Sequence, residues 1–518
     1  MATNSVIVAI IPWPEHGHLN QLFHIANFIS SHNIPLHFIS LTNKNQELKI
    51  RAQNTLSTSR IQFNDLIAPS ITQNSQPKDV NFADEYAFLA YLDKLGDPIC
   101  KKCIELSKRA KKLVIVFDSL MTDVIKDVYS ISNAVCYSVH AIPAFTMYSI
   151  FRQVVDKYQD QVARQVFDEL PEVNDQGEVA RQVFDGLPDQ DEVARQVFDE
   201  FPDQDEVARQ VFDELPEVDD HDEVARQVFD ELPKVEDCFG PDVFEFVKKE
   251  IECNLNNGEF MNSCRELEGN YLDLLANVRN KPLFALGPFH MLLESPESSS
   301  NRDQHECLEF LDKQDVNSVI FVSFGTTTTL SREQVNELAL GLERSNHKFI
   351  WVLREADKKM DTEKCEGWKE GSFELPEGFE ERVEGRGMVV RNWVPQLEIL
   401  GHKSTGGFLS HCGWNSCMES VSMGVPIATW PISVDQPYNA VFVTNVLKIG
   451  IPVRSWACRE ELVTSAVIEN AVRTLMGTTQ GDEMRKRAMK LSNKIKSSVS
   501  PGGLAHKERE SFISCITK

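Results

Sequence analysis

Short apolar runs, each closed by a loop and followed by a helix-patterned stretch, recur in both halves of this 518-residue chain. Residues 6–11 are apolar throughout, and 35–41 and 113–117 are similar runs in the first half. Residues 318–324, 348–353, 388–391, 407–410 and 426–429 repeat the pattern in the second. A segment apolar at every position has no face to give to water, so such runs predict strands covered on both sides. Helical stretches such as 20–31 supply the cover. The expectation is an α/β protein of two doubly wound, Rossmann-like domains. Between the halves, Pro282, Gly287-Pro288 and the polar run from Glu294 to Ser300 have a linker composition.

One segment breaks the pattern. The string VARQVFD starts at Val162, Val179, Val193, Val207 and Val224, and each copy ends in a proline (Pro171, Pro188, Pro202, Pro216, Pro233). Val162, Val166, Phe167 and Leu170 share one face of a helix, which the proline stops, so five short amphipathic helices joined by acidic turns are expected. Residues 160–237 hold 26 acidic and 6 basic side chains, a net of −20 out of the chain's −25. The charge is therefore local, and neither part has the basic balance of a nucleic-acid binder. Two readings of the repeat stay open: a tandem duplication of a surface segment, cheap in closure entropy, or a partner-binding or acceptor-covering lid.

The twelve cysteines are scattered rather than arranged as a disulfide framework. Cys100 and Cys103 make one CxxC without a second pair, which reads as a helix surface rather than a zinc or redox site. The start of the chain has no basic region followed by a long apolar stretch, so a cytoplasmic protein without a membrane span is expected.

The chemistry concentrates between Trp393 and Gln436. Residues 408–416 read as a strand end turning through Gly413 into a helix start, where unpaired N–H groups favour a phosphate. His411, Asn415 and Ser416 lie beside those N–H groups and can meet a diphosphate without a metal ion. Glu419, one turn on, can accept from two ribose hydroxyls. Trp393 offers a flat face for a base, with Gln396 near it, and Asp435 with Gln436 supplies the acceptor and donor that a hexose needs. A second phosphate loop fits residues 323–329, ahead of a helix whose Ser331 and Gln334 make a capping-box pattern. Each piece alone is ordinary; their order is what carries weight.

That order (WxPQ, HCGWNS, a glutamate, a closing DQ) is similar to the signature of plant UDP-dependent glycosyltransferases with the two-domain GT-B fold. Outside residues 160–237 the resemblance covers nearly the whole chain. Phe117-Asp118-Ser119-Leu120-Met121, Cys417-Met-Glu-Ser420 and Gly481-Asp-Glu-Met-Arg-Lys-Arg487 are most similar to its zeatin O-glucosyltransferase branch. The resemblance implies that Trp393 stacks on uracil and Glu419 holds the ribose. His411, Asn415, Ser416 and Thr326 would hold the diphosphate, and Trp414, Asp435 and Gln436 the sugar, with Val394 and Gln396 completing the UDP-sugar set. It also implies an acceptor-binding domain over 1–280 (with 160–237 inserted), a linker over 281–305, and a UDP-sugar-binding domain over 306–495. A C-terminal helix over 496–518 would pack back on the first domain.

Transfer needs a base for the acceptor hydroxyl. Residues 12–19 (PWPEHGHL) follow the first strand and offer His16 and His18. The family's pattern favours His18, with Asp118 as its orienting carboxylate, accepting from the far imidazole N–H and stabilising the imidazolium. The expected reaction is inverting transfer of glucose from UDP-glucose to a hydroxyl of a small hydrophobic plant metabolite, a cytokinin or related alcohol. No metal cofactor is expected, and the expected state is a monomer. Two alternatives remain at this stage: a transferase extending a sugar on a terpenoid or flavonoid glycoside, and a non-catalytic nucleotide-sugar-binding scaffold.

Overall fold

The computed structural model describes residues 4–52, 60–67, 92, 94–169, 228–229, 231–240, 243, 247, 256–279, 281–293, 305–326, 328, 330–353 and 375–518. Two parallel sheets organise them. The first holds β1 (Asn4–Ile11), β2 (Leu36–Leu41), β3 (Ile61–Leu66), β4 (Ala110–Asp118), β5 (Ala134–His140), β6 (Glu259–Met261) and β7 (Leu283–Ala285), in the order 3-2-1-4-5-6-7. The second holds β8 (Val319–Ser323), β9 (Lys348–Val352), β10 (Gly387–Val390), β11 (Thr405–Ser410), β12 (Ile427–Thr429) and β13 (Gly450–Pro452), in the order 10-9-8-11-12-13.

β1 shows why its sequence has no polar face. Val6, Val8 and Ile10 enter one core, while Ile7, Ala9 and Ile11 enter another on the opposite side of the sheet. Helices cover both. In each sheet the strand order reverses once, between β1 and β4 and between β8 and β11. Loops leaving the carboxyl ends of those strands diverge and open a crevice. Both crevices therefore fall where the sequence places its chemistry.

Five helices position the site: α1 (His16–Ser31), α2 (Ala144–Glu169), α3 (Trp414–Met423), α4 (Thr479–Val499) and α5 (Leu504–Thr517). The domains meet in an apolar core beside the cleft. Phe145 of α2 stacks on Phe442 with centroids 5.1 Å apart, Trp414 of α3 packs on the same ring at 6.1 Å, and Cys264, Leu267 and Ile495 fill around them. A phenylalanine buried to this extent contributes about 2–3 kcal/mol, so the domains share a substantial apolar interface.

Two boundaries differ from the sequence expectation. The proposed linker contains a strand, β7, because Leu283-Phe284-Ala285 between the turn residues is a short apolar edge that pairs with β6. The C-terminal segment does not begin at 496: α4 runs on to Val499, and the break falls just before Pro501, which has no N–H to continue a helix. Beyond it, α5 crosses to the first sheet. There Phe512 meets Phe260 edge-on at 4.5 Å, and the Arg509 guanidinium donates to the carbonyls of Leu286 and Met291, both at 2.9 Å.

The repeat is also placed differently where it is described. The backbone of the first copy, through Glu169, continues α2 rather than starting a helix of its own. The last copy is not a surface segment. Val228 is buried in the interdomain core, Phe229 lies against Phe145 and Tyr148, and the Arg152 guanidinium sits 5.2 Å over its ring. The Pro233 carbonyl after it accepts from the Tyr438 hydroxyl at 2.9 Å. The five-helix expectation for the copies between them lies outside the described residues.

Candidate active site

β1 and β4 are adjacent and parallel, with Ile11 beside Phe117, so the loop after β1 and the end of β4 meet at the first crevice. His18 stands in the first turn of α1, and Asp118 is the last residue of β4, fully buried. His18 Nδ1 lies 2.7 Å from Asp118 Oδ2. A carboxylate only accepts, so the proton sits on Nδ1 and the lone pair of Nε2 is left for an incoming hydroxyl. The second oxygen, Oδ1, accepts from Leu120 N at 3.1 Å and caps a short 3₁₀ turn, which fixes the carboxylate plane. Burial opposes the charged imidazolium, but the Asp118 carboxylate, with Glu15 and Asp435 beyond it, outweighs that and raises the His18 pKa above its ordinary value. His16, the other candidate, faces Glu47 at 3.5 Å.

The second crevice gathers the other predicted residues. Gly325 and Thr326 form the turn after β8, and His411 follows β11 directly. The His411 imidazole is wedged between two glycines: a Cβ on Gly325 would lie 2.7 Å from its Nε2, and one on Gly413 would lie 2.5 Å away. Gly325 also has φ +79°, which favours glycine. Burial holds His411 down to about 4, so it is neutral at pH 7. It can offer a phosphate a hydrogen bond but no positive charge.

α3 begins at Trp414, three residues after His411, and the first N–H groups of a helix have no partner within it. Ser416 is buried, and Gln396 Nε2 donates to both Ser416 Oγ (3.1 Å) and Glu419 Oε2 (2.8 Å). Burial pushes the Glu419 carboxyl up to about 7, partly offset by that hydrogen bond. Val394 is buried, and its carbonyl accepts from Gln396 N at 2.9 Å. Trp393, by contrast, is 60 % exposed, an open aromatic face with His305 edge-on beside it.

The Trp414 side chain is not what faces the cleft. Its indole is buried in the interdomain core, and Nε1 donates to Asn262 O at 2.8 Å. What Trp414 can offer a sugar is its backbone N–H at the helix start. Asp435 lies close enough to His18 to influence its protonation. Burial pushes the Asp435 carboxyl up to about 6, against the pull of a hydrogen bond from Asn439 Nδ2 at 2.7 Å. Gln436 turns its Oε1 inward to accept from the N–H groups of Ile432 and Ser433, so its Nε2 is the group available to a ligand.

The two crevices face each other. Asn415 Nδ2 donates to the carbonyl of Gly17 at 3.0 Å, tying the start of α3 to the first turn of α1, which carries His18. Thr146 of α2 donates to Asn439 Oδ1 at 2.9 Å, and Asn439 Nδ2 also donates to Cys412 O, also at 2.9 Å. Sequence reasoning missed Asn439 and Asn262, since an asparagine outside a motif carries no signal. It also missed Trp13, whose ring lies 6.5 Å from that of His18, although it stands in the same Pro-Trp-Pro loop. Burial pushes Cys103 of the CxxC up to about 12, far from the thiolate that metal or redox chemistry needs. Among the described residues, no cluster of three or more His, Cys, Asp or Glu is placed to hold a metal ion, and no helix is long and apolar enough to cross a membrane.

Comparison with known proteins agrees with this architecture. Residues 4–176 and 209–291 match the family model "Glycosyltransferase, N-terminal domain", and residues 298–500 match "UDP-glucoronosyl and UDP-glucosyl transferase". The chain is 40% identical to a zeatin O-glucosyltransferase of Phaseolus lunatus, over 99% of this chain and 97% of that protein. It is 39% identical to a zeatin O-xylosyltransferase of Phaseolus vulgaris, over 99% and 98%. A solved glycosyltransferase from Siraitia grosvenorii in complex with UDP superposes with a TM-score of 0.65 at 26% identity, covering 99% of this chain and all of that one. A GT-B pair of Rossmann-like domains and full-length likeness to two transferases thus lead to one conclusion: the chain belongs to the UDP-glycosyltransferase family and is a glycosyltransferase.

Proposed function

We propose that this enzyme transfers glucose from UDP-glucose to a hydroxyl of a small, largely apolar plant metabolite, a cytokinin such as zeatin or a related alcohol, with inversion to a β-O-glucoside. The observation that carries the reaction type is the His18–Asp118 pair at 2.7 Å, with the first turn of α1 that holds His18 hydrogen-bonded to the start of α3. His18 Nε2 takes the acceptor proton, the acceptor oxygen attacks the anomeric carbon, and UDP leaves from the opposite face. Asp118 holds the tautomer and stabilises the imidazolium. Trp393 stacks on the base, beside Val394 and Gln396, and Glu419 receives the ribose hydroxyls. Thr326, His411, Asn415, Ser416 and the α3 N–H groups take the diphosphate, while Asp435, Gln436 and the Trp414 N–H take the sugar. Charge on the departing diphosphate is met by the helix N-terminus and by hydrogen bonds, with no metal cofactor. The protein acts as a cytoplasmic monomer.

The acceptor class rests on the two full-length relatives, both named for zeatin. Their different sugars make the donor an open choice within the same site, and the closing Gln436 favours glucose. The test is an acceptor panel offered UDP-glucose and UDP-xylose in turn, with products read by mass spectrometry and anomeric configuration by NMR. A β-glucoside of zeatin or a related alcohol is expected. Product from UDP-xylose alone, or only from glycoside acceptors, would contradict the proposal. Turnover should persist in EDTA; its loss there would contradict the metal-free step.

A further inference from the structure

The bond between Asn415 and Gly17 is one link in a longer series. Phe289 N donates to Asn262 Oδ1 at 2.8 Å, Asn262 Nδ2 donates to Asn415 Oδ1 at 3.3 Å, and Asn415 Nδ2 donates to Gly17 O at 3.0 Å. Both ends are backbone groups: an N–H that can only donate and a carbonyl that can only accept. Those ends dictate which way each amide between them must face. The series starts in the crossover after β7, passes through Asn262 in the loop after β6, enters the second domain at Asn415, and returns to the residue before His18.

Asn262 is well placed to anchor it. It is 2 % exposed, and its own carbonyl accepts from Trp414 Nε1 at 2.8 Å, so it holds two successive residues at the start of α3. The loop around it is braced. Ser263 Oγ donates to the buried Glu268 carboxylate, whose other oxygen accepts from Phe145 N at 2.7 Å. Phe145 in turn stacks on Phe442 in the interdomain core.

We infer that Asn262 is a positioning residue for sugar transfer, holding Asn415 and Trp414 so that the donor helix stays in register with the first turn of α1, which carries His18. The inference rests on His18 being the base and α3 the diphosphate-binding helix. Asn262 needs no contact with either substrate. Its effect falls on the alignment of acceptor oxygen and anomeric carbon, where a displacement of about 1 Å costs on the order of a hundredfold in rate.

The test compares Asn262→Ala, Asn262→Asp, Asn415→Ala and the Asn262→Ala/Asn415→Ala double variant. Each is assayed with UDP-glucose and the acceptor that the unmodified protein turns over fastest, alongside UDP affinity by calorimetry and Tm. Asn262→Asp keeps the shape and the acceptor for Phe289 N, so it preserves the crossover if the alanine variant does not fold. It sets a carboxylate oxygen against Asn415 Oδ1, acceptor to acceptor. For both single changes at Asn262, kcat is expected to fall about 10- to 100-fold, with KM for both substrates within about threefold. The double variant is expected to lie within about threefold of Asn415→Ala, because one link cannot be lost twice. A kcat within twofold of the unmodified protein for Asn262→Asp, or losses that multiply in the double variant, would overturn the inference. UDP affinity unchanged in Asn415→Ala would instead remove the diphosphate role of Asn415, and the kcat coupling between the two residues would still be read on its own.

Discussion

Two donors, one a backbone N–H and one the His18 imidazole, decide what a single atom change at Asp118 does. Its Oδ1 accepts from Leu120 N and its Oδ2 from His18 Nδ1. In Asp118→Asn the amide oxygen must stay with Leu120 N, which turns the NH₂ toward His18. Nδ1 then becomes an acceptor and the proton moves to Nε2, the atom that has to receive one. The expected loss in kcat is on the order of 10²–10⁴-fold. The pH dependence has a definite sign. A general base works in its neutral form, so kcat/KM rises as pH climbs through the His18 pKa, which this environment raises. Removing the Asp118 charge takes away the main raising influence, so the acid limb of the profile should move to lower pH while its plateau drops. A pH–rate profile of the two proteins measures both effects, and an acid limb displaced upward would contradict the assignment. At the second crevice, Gly325→Ala and Gly413→Ala each drive a Cβ into the His411 ring. About 1–3 kcal/mol of strain there predicts UDP binding weaker by tenfold or more, measured by calorimetry. Gly325 should be the more sensitive of the two, because its φ of +79° adds a backbone cost.

The elements explain both what the sequence made legible and what it did not. β1 was readable because six consecutive apolar residues supply two cores at once. β6, β7 and β13 were not, since three residues each give no period, and they are strands because a neighbour's edge is there to pair with. The Ser331–Gln334 capping box is half right. Ser331 Oγ accepts from Gln334 N at 3.2 Å, but the Gln334 side chain bonds the backbone of Val463 in both directions, at 2.8 and 2.9 Å. A tertiary partner outcompeted the local one. The residues proposed for the donor stand out in the sequence because helix start, glycine and carboxylate lie within one stretch of chain, but a motif position does not say which way the Trp414 indole faces. The repeat makes an element-scale prediction. Residues 179–206 are two whole copies, nearly coincident with the stretch 177–208 that the N-terminal family model skips. Excising them in register should leave kcat/KM within about twofold, as a shortened connection predicts. Phe229→Ala in the last copy should instead cost about 3 kcal/mol, because that ring is packed against Phe145 and Tyr148. Tm and turnover of the two variants distinguish these outcomes.

At the scale of the molecule, catalysis depends on two domains that contribute different halves of the reaction. In the proposed reaction the first supplies the base and the second the donor site, and the apolar core around Phe145, Trp414 and Phe442 keeps them opposed. Phe442→Ala should therefore reduce stability by about 3–5 kcal/mol and lower kcat in the fraction that stays folded, seen as a fall in Tm together with a fall in rate below it. α5, crossing from the second domain to pack Phe512 on the first sheet, adds a second tie. Because base and donor site belong to different domains, they can be separated by one substitution. The direct measurement is sugar transfer from UDP-glucose by His18→Ala beside its affinity for UDP. Transfer reduced at least a thousandfold, with UDP binding within about threefold of the unmodified protein, is the predicted result; transfer near the unmodified rate would contradict the account.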